Sequence, residues 1–474
     1  MLAPLTVSGL EGGGWRSALA GFAAPSAALA LAGWGMLKRF RPAGPVVLSV
    51  AEASVVVVAS WSAVCLASAW PFAVMEDLGF TLALFESVSG WTTTGLSVVD
   101  VGRASPSILL WRSVMQLAGG AGLAIVMAAS IAGPLGPGLS IAEGRGEQLV
   151  PQVRRSARMV LILYTAYALG GVLALRMVGM TALDAVSHAF AAVSTGGFST
   201  RAESVGYWNS AAVEGVSMVL MTLGSLNFLT AYLLLQGRLR AAGRDGEVRL
   251  AALLAAVGSL VLWALVCGEV FPETGKRVRT AVFETLSALT TTGFSTTTYD
   301  SWNDSGFLTL TLLMIVGGGA CSTAGGLKQY RVHLLFRTLL WEIRRPFLPR
   351  TAVQARYLWK GEEKDFIDDA RIRQTAAFVF LYLTAYVAGT GILVAYGYGL
   401  RESLFEFASA LSTVGLSAGV THPSAPAGVL WTEMAGMFLG RLEFFVVFTG
   451  LGKALLGIMQ VGPRHYAGRT TISC

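Results

Sequence analysis

The residues in this chain whose types and spacing could do chemistry are hydroxyls and glycines, set in the same order four times. The copies are Thr92-Thr93-Thr94-Gly95-Leu96-Ser97, Ser194-Thr195-Gly196-Gly197-Phe198-Ser199, Thr290-Thr291-Thr292-Gly293-Phe294-Ser295 and Ser412-Thr413-Val414-Gly415-Leu416-Ser417. Aligned on Gly95, Gly197, Gly293 and Gly415, the position two before is always Thr and the position two after always Ser. Such a segment suits an extended strand whose carbonyls turn inward, because glycine tolerates backbone angles that other residues resist. Rings of carbonyl oxygens can replace the water shell of a cation. A single copy reads most simply as a helix cap. Four registered copies form an internal repeat and read as one cation site, with Thr93, Thr94, Gly95, Thr195, Gly196, Gly197, Thr291, Thr292, Gly293, Thr413, Val414 and Gly415 as its lining.

The elements that must position these residues follow from length. The runs Leu82 to Thr92, Thr181 to Ser194, Thr280 to Thr290 and Arg401 to Ser412 precede the four copies. At 1.5 Å per residue, runs of about eleven residues cannot cross a hydrocarbon core ~30 Å thick, so each should enter the membrane and return. Asp184, Glu284, Glu402 and Glu406 lie early in these runs, where negative charge favours a helix N-terminus; they are expected at the outer surface as dipole partners. Ten residues before the glycine, three copies read Phe-Glu (Phe85-Glu86, Phe283-Glu284, Phe405-Glu406) and the second reads Ser187-His188. His188 is expected to be a satisfied helix residue.

Longer apolar runs flank the short ones, near 17–37, 46–70, 107–131, 158–178, 210–235, 250–271, 306–320 and beyond, 375–397 and 428–460, giving about nine spans. With 54% hydrophobic and 13% charged residues in 474, and a mean hydropathy of +0.61, the chain is an integral membrane protein. Two crossings plus a re-entrant run return the chain to its starting side, so successive units share one orientation, unlike inverted repeats. The expected fold is therefore an all-α membrane protein of four tandem helix/pore-loop/helix units in pseudo-fourfold arrangement around a central pore. The expected divisions are 1–45 (an extra N-terminal helix), 46–133, 134–237 and 238–345 (units one to three), and 346–474 (a cytosolic link and unit four).

The formal charge of +7 is dispersed among loops, which argues for membrane orientation and against nucleic-acid binding. Lys38, Arg39 and Arg41, then Arg145, Arg154, Arg155 and Arg158, then Arg238, Arg240, Arg244 and Arg249, and the link from Lys328 through Arg344, Arg345 and Arg350 to Arg373 fall on one side. That side is expected to be the cytoplasm. Basic residues follow the first apolar segment instead of preceding it, as they would in a signal peptide. Cys65, Cys267, Cys321 and Cys474 have no metal-ligand spacing, and no Walker loop, nucleophile elbow or Rossmann fingerprint appears. No enzyme activity and no cofactor in this chain is expected.

Two features break the fourfold pattern. A Gly-rich step recurs after each filter glycine as Gly119-Gly120, Gly224-Ser225, Gly317-Gly318 and Gly440-Arg441, so unit four alone places an arginine there. Intramembrane charge usually faces a cavity or a partner, and Arg441 is read as a barrier below the site, with a salt bridge to Glu443 or Glu433 as the alternative. The second feature is Gly317, Gly318, Gly319, Gly325 and Gly326 within ten residues, ending at Lys328. Glycine weakens a helix by about 1 kcal/mol relative to alanine, so this stretch should break and could gate the path. Gln116 and Asn227 read as helix-packing residues, and Arg112 as an anchor for a pore helix.

Together these residues resemble the Trk/Ktr/HKT superfamily of potassium transporters, over roughly 46–460. Leu110-Trp111-Arg112 with Gly119-Gly120 is similar to the second helix of that family's first unit, Gly317 to Lys328 to its intramembrane loop, and Gly440-Arg441-Leu442-Glu443 to the pore-arginine segment of its bacterial TrkH branch. Ala324 stands where the family usually has glycine, and one extra N-terminal helix replaces two. The resemblance implies potassium uptake through a filter with one glycine per unit, Gly95 in unit one marking potassium preference over sodium. It implies K+ held only at filter residues, a homodimer in the bacterial inner membrane with its C-terminus cytoplasmic, and a TrkA- or KtrA-like cytosolic subunit binding ATP/ADP or NAD. A proton- or sodium-coupled cation carrier and a non-conducting sensor or scaffold are the alternatives.

Overall fold

The computed structural model describes residues 1–8, 15–40, 48–132, 153–349, 355–361 and 363–460. Arg41, Arg145, Arg350 and Cys474 lie outside the described residues, as do the side chains of Arg154 and Arg155. Each unit has a first helix, a short helix and a second helix. The first helices are Val50–Met75, Val153–Met177, Gly246–Leu265 and Asp369–Ala395. The short helices are Phe80–Trp91, Ala182–Val193, Thr274–Leu289 and Leu400–Leu411. The second helices begin at Pro106, Ala211, Asp304 and Ala427. Capping fixes many of the starts: Ser49 and Glu52 form a reciprocal capping box, and Thr181, Asp245, Asn303 and Asp368 cap with their side chains, satisfying amides that a helix leaves unpaired.

Within each unit the short helix packs against both long ones, and each second helix packs against the short helix of the next unit, unit four closing on unit one. That cyclic packing is the expected pseudo-fourfold arrangement. The third short helix starts at Thr274, earlier than expected; its added first turns carry Lys276, Arg277 and Arg279, and Arg279 pairs with Glu214 at 3.2 Å.

Helices Arg16–Arg39, Val50–Met75, Arg158–Met177, Gly246–Leu265 and Asp369–Ala395 are long and apolar enough to span. The expected continuous spans at 210–235 and 428–460 are instead broken. Ala211–Ser225 meets Phe228–Leu235 at 118°, and Ala427–Leu442 meets Phe444–Gly457 at 103°. The first break arises where Asn227 caps the new helix by accepting from the Leu229 amide at 2.9 Å, so Asn227 is a capping residue rather than a helix-packing one. The second arises at Glu443, whose φ is 63° and whose carboxylate receives both Arg331 contacts at 2.8 and 3.0 Å. Asp304–Val316 ends at Gly317 with φ 70°, and the chain stays non-helical to Lys328. The second helices of units two, three and four thus all break at a similar distance past the filter glycine, where the sequence suggested one break. Beyond the loop, Gln329–Arg344 leads to a small hairpin pairing Tyr357–Lys360 with Glu363–Phe366.

Candidate functional site: the central strands

At the end of every short helix the Thr two before the glycine has left-handed backbone: Thr93 φ 56°, Thr195 52°, Thr291 56° and Thr413 52°. A β-branched residue there is an outlier, and such strain is stored where surrounding bonds hold it. They do so identically in four places. The amide of each Thr donates three residues back and the next amide five residues back: Thr93 to Gly90 (3.1 Å) and Thr94 to Ser89 (2.9 Å), Thr195 to Ala192 (3.1 Å) and Gly196 to Ala191 (2.8 Å), with matching pairs from Thr291, Thr292, Thr413 and Val414. This is the Schellman helix ending, normally made with glycine. Thr closes the helix in all four units, and the glycine lies beyond that ending, in the segment that follows.

The glycines, with φ between 74° and 100°, meet in a ring. A β-carbon on Gly95 would strike the Gly196 carbonyl oxygen, one on Gly197 the Thr292 oxygen, one on Gly293 the Val414 oxygen, and one on Gly415 the Thr94 oxygen. Neighbouring strands approach so closely that no side chain fits. Above the ring, one cavity of about 620 Å³ is lined by all four glycines and by Ser97, Ser199, Ser295 and Ser417. Below it, Thr93 and Thr413 present buried hydroxyls with no hydrogen-bond partner.

Buried acids hold the ascending strands. Glu86 accepts from the Ser97 hydroxyl (3.0 Å) and the Val98 amide (3.0 Å). Glu284 accepts from the Thr296 amide (2.7 Å) and Tyr299 (2.6 Å), and Glu406 from Ser417 (2.7 Å) and the Ala418 amide (2.7 Å). In unit two, His188 bonds the Asp184 carbonyl (2.8 Å) and Ser199 (2.9 Å), a satisfied residue as expected. Glu284 and Glu406 are fully buried, so they are not dipole partners at the surface; their helices carry them a turn or more inward, beside the returning strand. Asp184 lies in the first turn and also receives Thr200 and Arg201 (2.9 Å), while Glu402 pairs with exposed Arg401 at 2.9 Å. Arg112 is the anchor expected of it, donating to Glu86 (2.6 Å), Ser97 (2.8 Å) and the Ser199 carbonyl (2.9 Å).

The glycine of each Gly-rich step has a steric cause that the sequence did not reveal. β-Carbons on Gly119, Gly224 and Gly440 would collide with the last carbonyl of a short helix, at Trp91, Val193 and Leu411. Unit three departs from this because the loop begins there. That loop lies directly beneath the strands. The Gly325 amide donates to Thr291 Oγ1 (2.7 Å), Thr323 Oγ1 accepts from Thr195 (3.2 Å), and a β-carbon on Gly325 would strike Ser412 and Thr413. Gly319 donates to the Ser225 carbonyl (3.0 Å), Gln329 donates to the Gly318 and Gly317 carbonyls (2.9 and 3.0 Å), and the Lys328 ammonium folds back onto the Ala324 carbonyl. A β-carbon on Gly318 would meet Ala324, and Gly326 packs on Gly317.

Arg441, 8% exposed, donates to the Thr323 carbonyl (2.7 Å) and the Gly119 carbonyl (2.5 Å). Thr323 sits under unit two, opposite unit four in the ring, so the guanidinium reaches across the axis. The expected alternative acids are engaged elsewhere: Glu443 with Arg331 at 2.8 Å and Glu433 with Thr421 at 3.1 Å. Among the described residues, no group of three His, Cys, Asp or Glu is placed to hold a metal ion.

A family model described as TrkH, cation transport protein, matches residues 28–451. The chain belongs to this TrkH family. It is accordingly a multi-pass membrane transport protein and not an enzyme. This TrkH-family chain is 31% identical over 425 residues to the Trk system potassium uptake protein TrkG of Escherichia coli, covering 85% of each, and 31% identical over 421 residues to the TrkH of the same organism, covering 84% of this chain and 85% of the relative. It is 28% identical to an uncharacterized cation transporter of Methanocaldococcus jannaschii, covering 79% of this chain and 76% of the relative. The crystal structure of the potassium transporter TrkH from Vibrio parahaemolyticus superposes with a TM-score of 0.80 at 26% identity, covering 98% of this chain and 95% of the other.

Proposed function

We propose that this chain carries potassium into the cell along the axis of the four strands. The observation that carries the reading is the closed ring of Gly95, Gly197, Gly293 and Gly415 with carbonyls of Thr94, Gly196, Thr292 and Val414 between them. Those carbonyls, with the Thr93, Thr195, Thr291 and Thr413 level below, would replace an ion's water shell. The C-terminal ends of four short helices point at the same axis, a field that favours a cation. Relatives named as Trk system potassium uptake proteins support potassium as the ion. Glycine in all four units, including Gly95, supports its preference over sodium.

The gate in this reading is Gly317, Gly318, Gly319, Gly325, Gly326 and Lys328 together with Arg441. The loop fills the path under three units, and Arg441 adds positive charge that a cation must pass. The basic link from Lys328 then lies in the cytoplasm, with the C-terminus on that side of a bacterial inner membrane, and units 46–133, 134–237, 238–345 and 346–474 each contribute one quadrant. Homodimerisation and control by a TrkA- or KtrA-like cytosolic subunit holding ATP/ADP or NAD complete the proposal; the system naming of the relatives supports a multi-component assembly. The test is cation flux into liposomes containing the purified chain, with and without such a subunit. Potassium and rubidium should pass well ahead of sodium and lithium, and Arg441→Ala should raise the basal rate. Equal passage of all four ions would defeat the filter assignment.

A further inference from the structure

The four central strands differ most in side-chain size at one place. Immediately before the glycine, units one, three and four have Thr94, Thr292 and Val414, whereas unit two has Gly196 and lacks a side chain. The space that a side chain would fill is not empty: a β-carbon on Gly196 would fall among the terminal atoms of Gln116, at 2.6 Å from Oε1 and 2.8 Å from Nε2. Gln116 is fully buried in the second helix of unit one. It donates to the Gly196 carbonyl and accepts from the Phe198 amide at 3.2 Å. Because a backbone amide can only donate, Oε1 must face Phe198 and the amide nitrogen must face Gly196. The carbonyl it holds is one of the four ring oxygens.

Gln116 stands three residues before Gly119. The same position before Gly224, Gly317 and Gly440 is Met221, Met314 and Met437, all fully buried. Each methionine belongs to the same core cluster as the residue that follows the next unit's filter glycine: Met221 with Phe294, Met314 with Leu416, and Met437 with Leu96. The second-helix column therefore reads Gln, Met, Met, Met, and the position before the next unit's filter glycine reads Gly, Thr, Val, Thr in units two, three, four and one. Polar bracing follows the same logic. In units one and three the hydroxyls of Thr92 and Thr94, and of Thr290 and Thr292, bond at 2.8 Å. In unit four Tyr382 bonds Ser412 at 2.6 Å. Gly196 offers no hydroxyl, and Gln116 supplies the bonds from outside the strand.

We infer that Gln116 is a positioning residue that substitutes for the missing filter side chain of unit two, and that Gln116 and Gly196 form one exchangeable pair setting cation selectivity. The inference rests on the filter reading above and names a selectivity determinant within it. Gln116→Met alone leaves the Gly196 carbonyl and Phe198 amide buried without their partner. Gly196→Thr alone forces a side chain into the Gln116 amide. The double variant recreates the combination of Met and Thr that the sequence has at units one and three.

The experiment measures potassium-over-sodium permeability in liposomes, together with yield and melting temperature of the purified full chain, for the parent, both single variants and the double. Gln116→Met should lower the permeability ratio about tenfold. Gly196→Thr should lose selectivity or folded yield. The double should recover both to within about threefold of the parent, since coupled neighbours are non-additive. Parental selectivity in either single variant overturns the inference. So does a double variant no better than its poorer parent single in both yield and selectivity. If the parent passes no potassium even with the cytosolic subunit present, the filter reading fails, and recovery of yield and melting temperature in the double still decides whether the two residues form a pair.

Discussion

Replacing Glu406 by Gln should loosen the fourth strand, and the structure gives the size of the effect. Its two carboxylate oxygens accept from two obligate donors, the Ala418 amide at 2.7 Å and the Thr421 amide at 3.1 Å, on different oxygens. Ser417 adds a third bond at 2.7 Å, and the Thr421 hydroxyl lies between Glu406 and Glu433 at 2.6 and 3.1 Å. A carboxamide has one acceptor oxygen, so whichever way it flips one backbone amide faces an NH2 group. Losing a hydrogen bond to a charged acceptor costs about 1.5–3 kcal/mol, and the stranded amide a further ~1 kcal/mol. The sum, roughly 3 kcal/mol, is about a hundredfold in the equilibrium between a held and a released strand. Glu402 provides the control, because its ion pair with Arg401 is partly exposed at 31% and 44% and is worth about 0–1 kcal/mol. Melting of the purified protein in potassium and in sodium, beside the liposome permeability ratio, reads both variants. Glu406→Gln should melt earlier, lose its extra stability in potassium and lose selectivity; Glu402→Gln should do none of these. Similar behaviour of the two variants would refute the strand-tether reasoning.

Further expectations concern the loop and the Gln329–Arg344 helix beyond it. Gly325→Ala places a β-carbon against Ser412 and Thr413, so the loop must shift away from the filter base and resting flux through liposomes should rise severalfold; unchanged flux would show that the loop does not close the path. Arg331→Ala breaks the 2.8 Å pair that holds Glu443 at the unit-four break, and should lower the melting temperature while leaving the potassium-over-sodium ratio intact. On the Gln329–Arg344 helix, burial first, then Arg337 and Arg249, hold the His333 imidazole below its usual range. The folded state then binds fewer protons than the unfolded one, so this contribution to stability is full above about pH 6.5 and is lost as pH falls below it. His333→Gln should therefore flatten the decline in melting temperature between about pH 7 and pH 5.5; an unchanged slope would exclude His333 as its source.

The repeat, the re-entrant helices and the break after Val316 are legible because each is written locally, in spacing, hydropathy or glycine content. Arg441 was legible as the one charge in a small-residue column. What stayed hidden depends on residues from different units meeting. Nothing in the sequence near Gln116 indicates that it reaches Gly196 in the next unit. The Met221, Met314 and Met437 column could have been found by aligning second helices on their Gly-rich steps. Glu406 and Glu402 sit four residues apart and look alike as early helix acids, yet one faces the returning strand and the other faces solvent. The breaks at Asn227 and Glu443 were concealed by apolar composition on both sides. The sequence shows the hydroxyls of Thr93 and its three counterparts, while their left-handed backbone is set by the helix ending behind them.

The central claim is that the ring of four glycines selects potassium. Its most direct measurement is the cation preference in liposomes of Gly95→Ser beside the parent. A β-carbon at Gly95 enters the Gly196 carbonyl and its φ of 96° disfavours any side chain, so the account predicts potassium and rubidium selectivity in the parent and its loss in the variant, with flux retained. A variant as selective as the parent would contradict it.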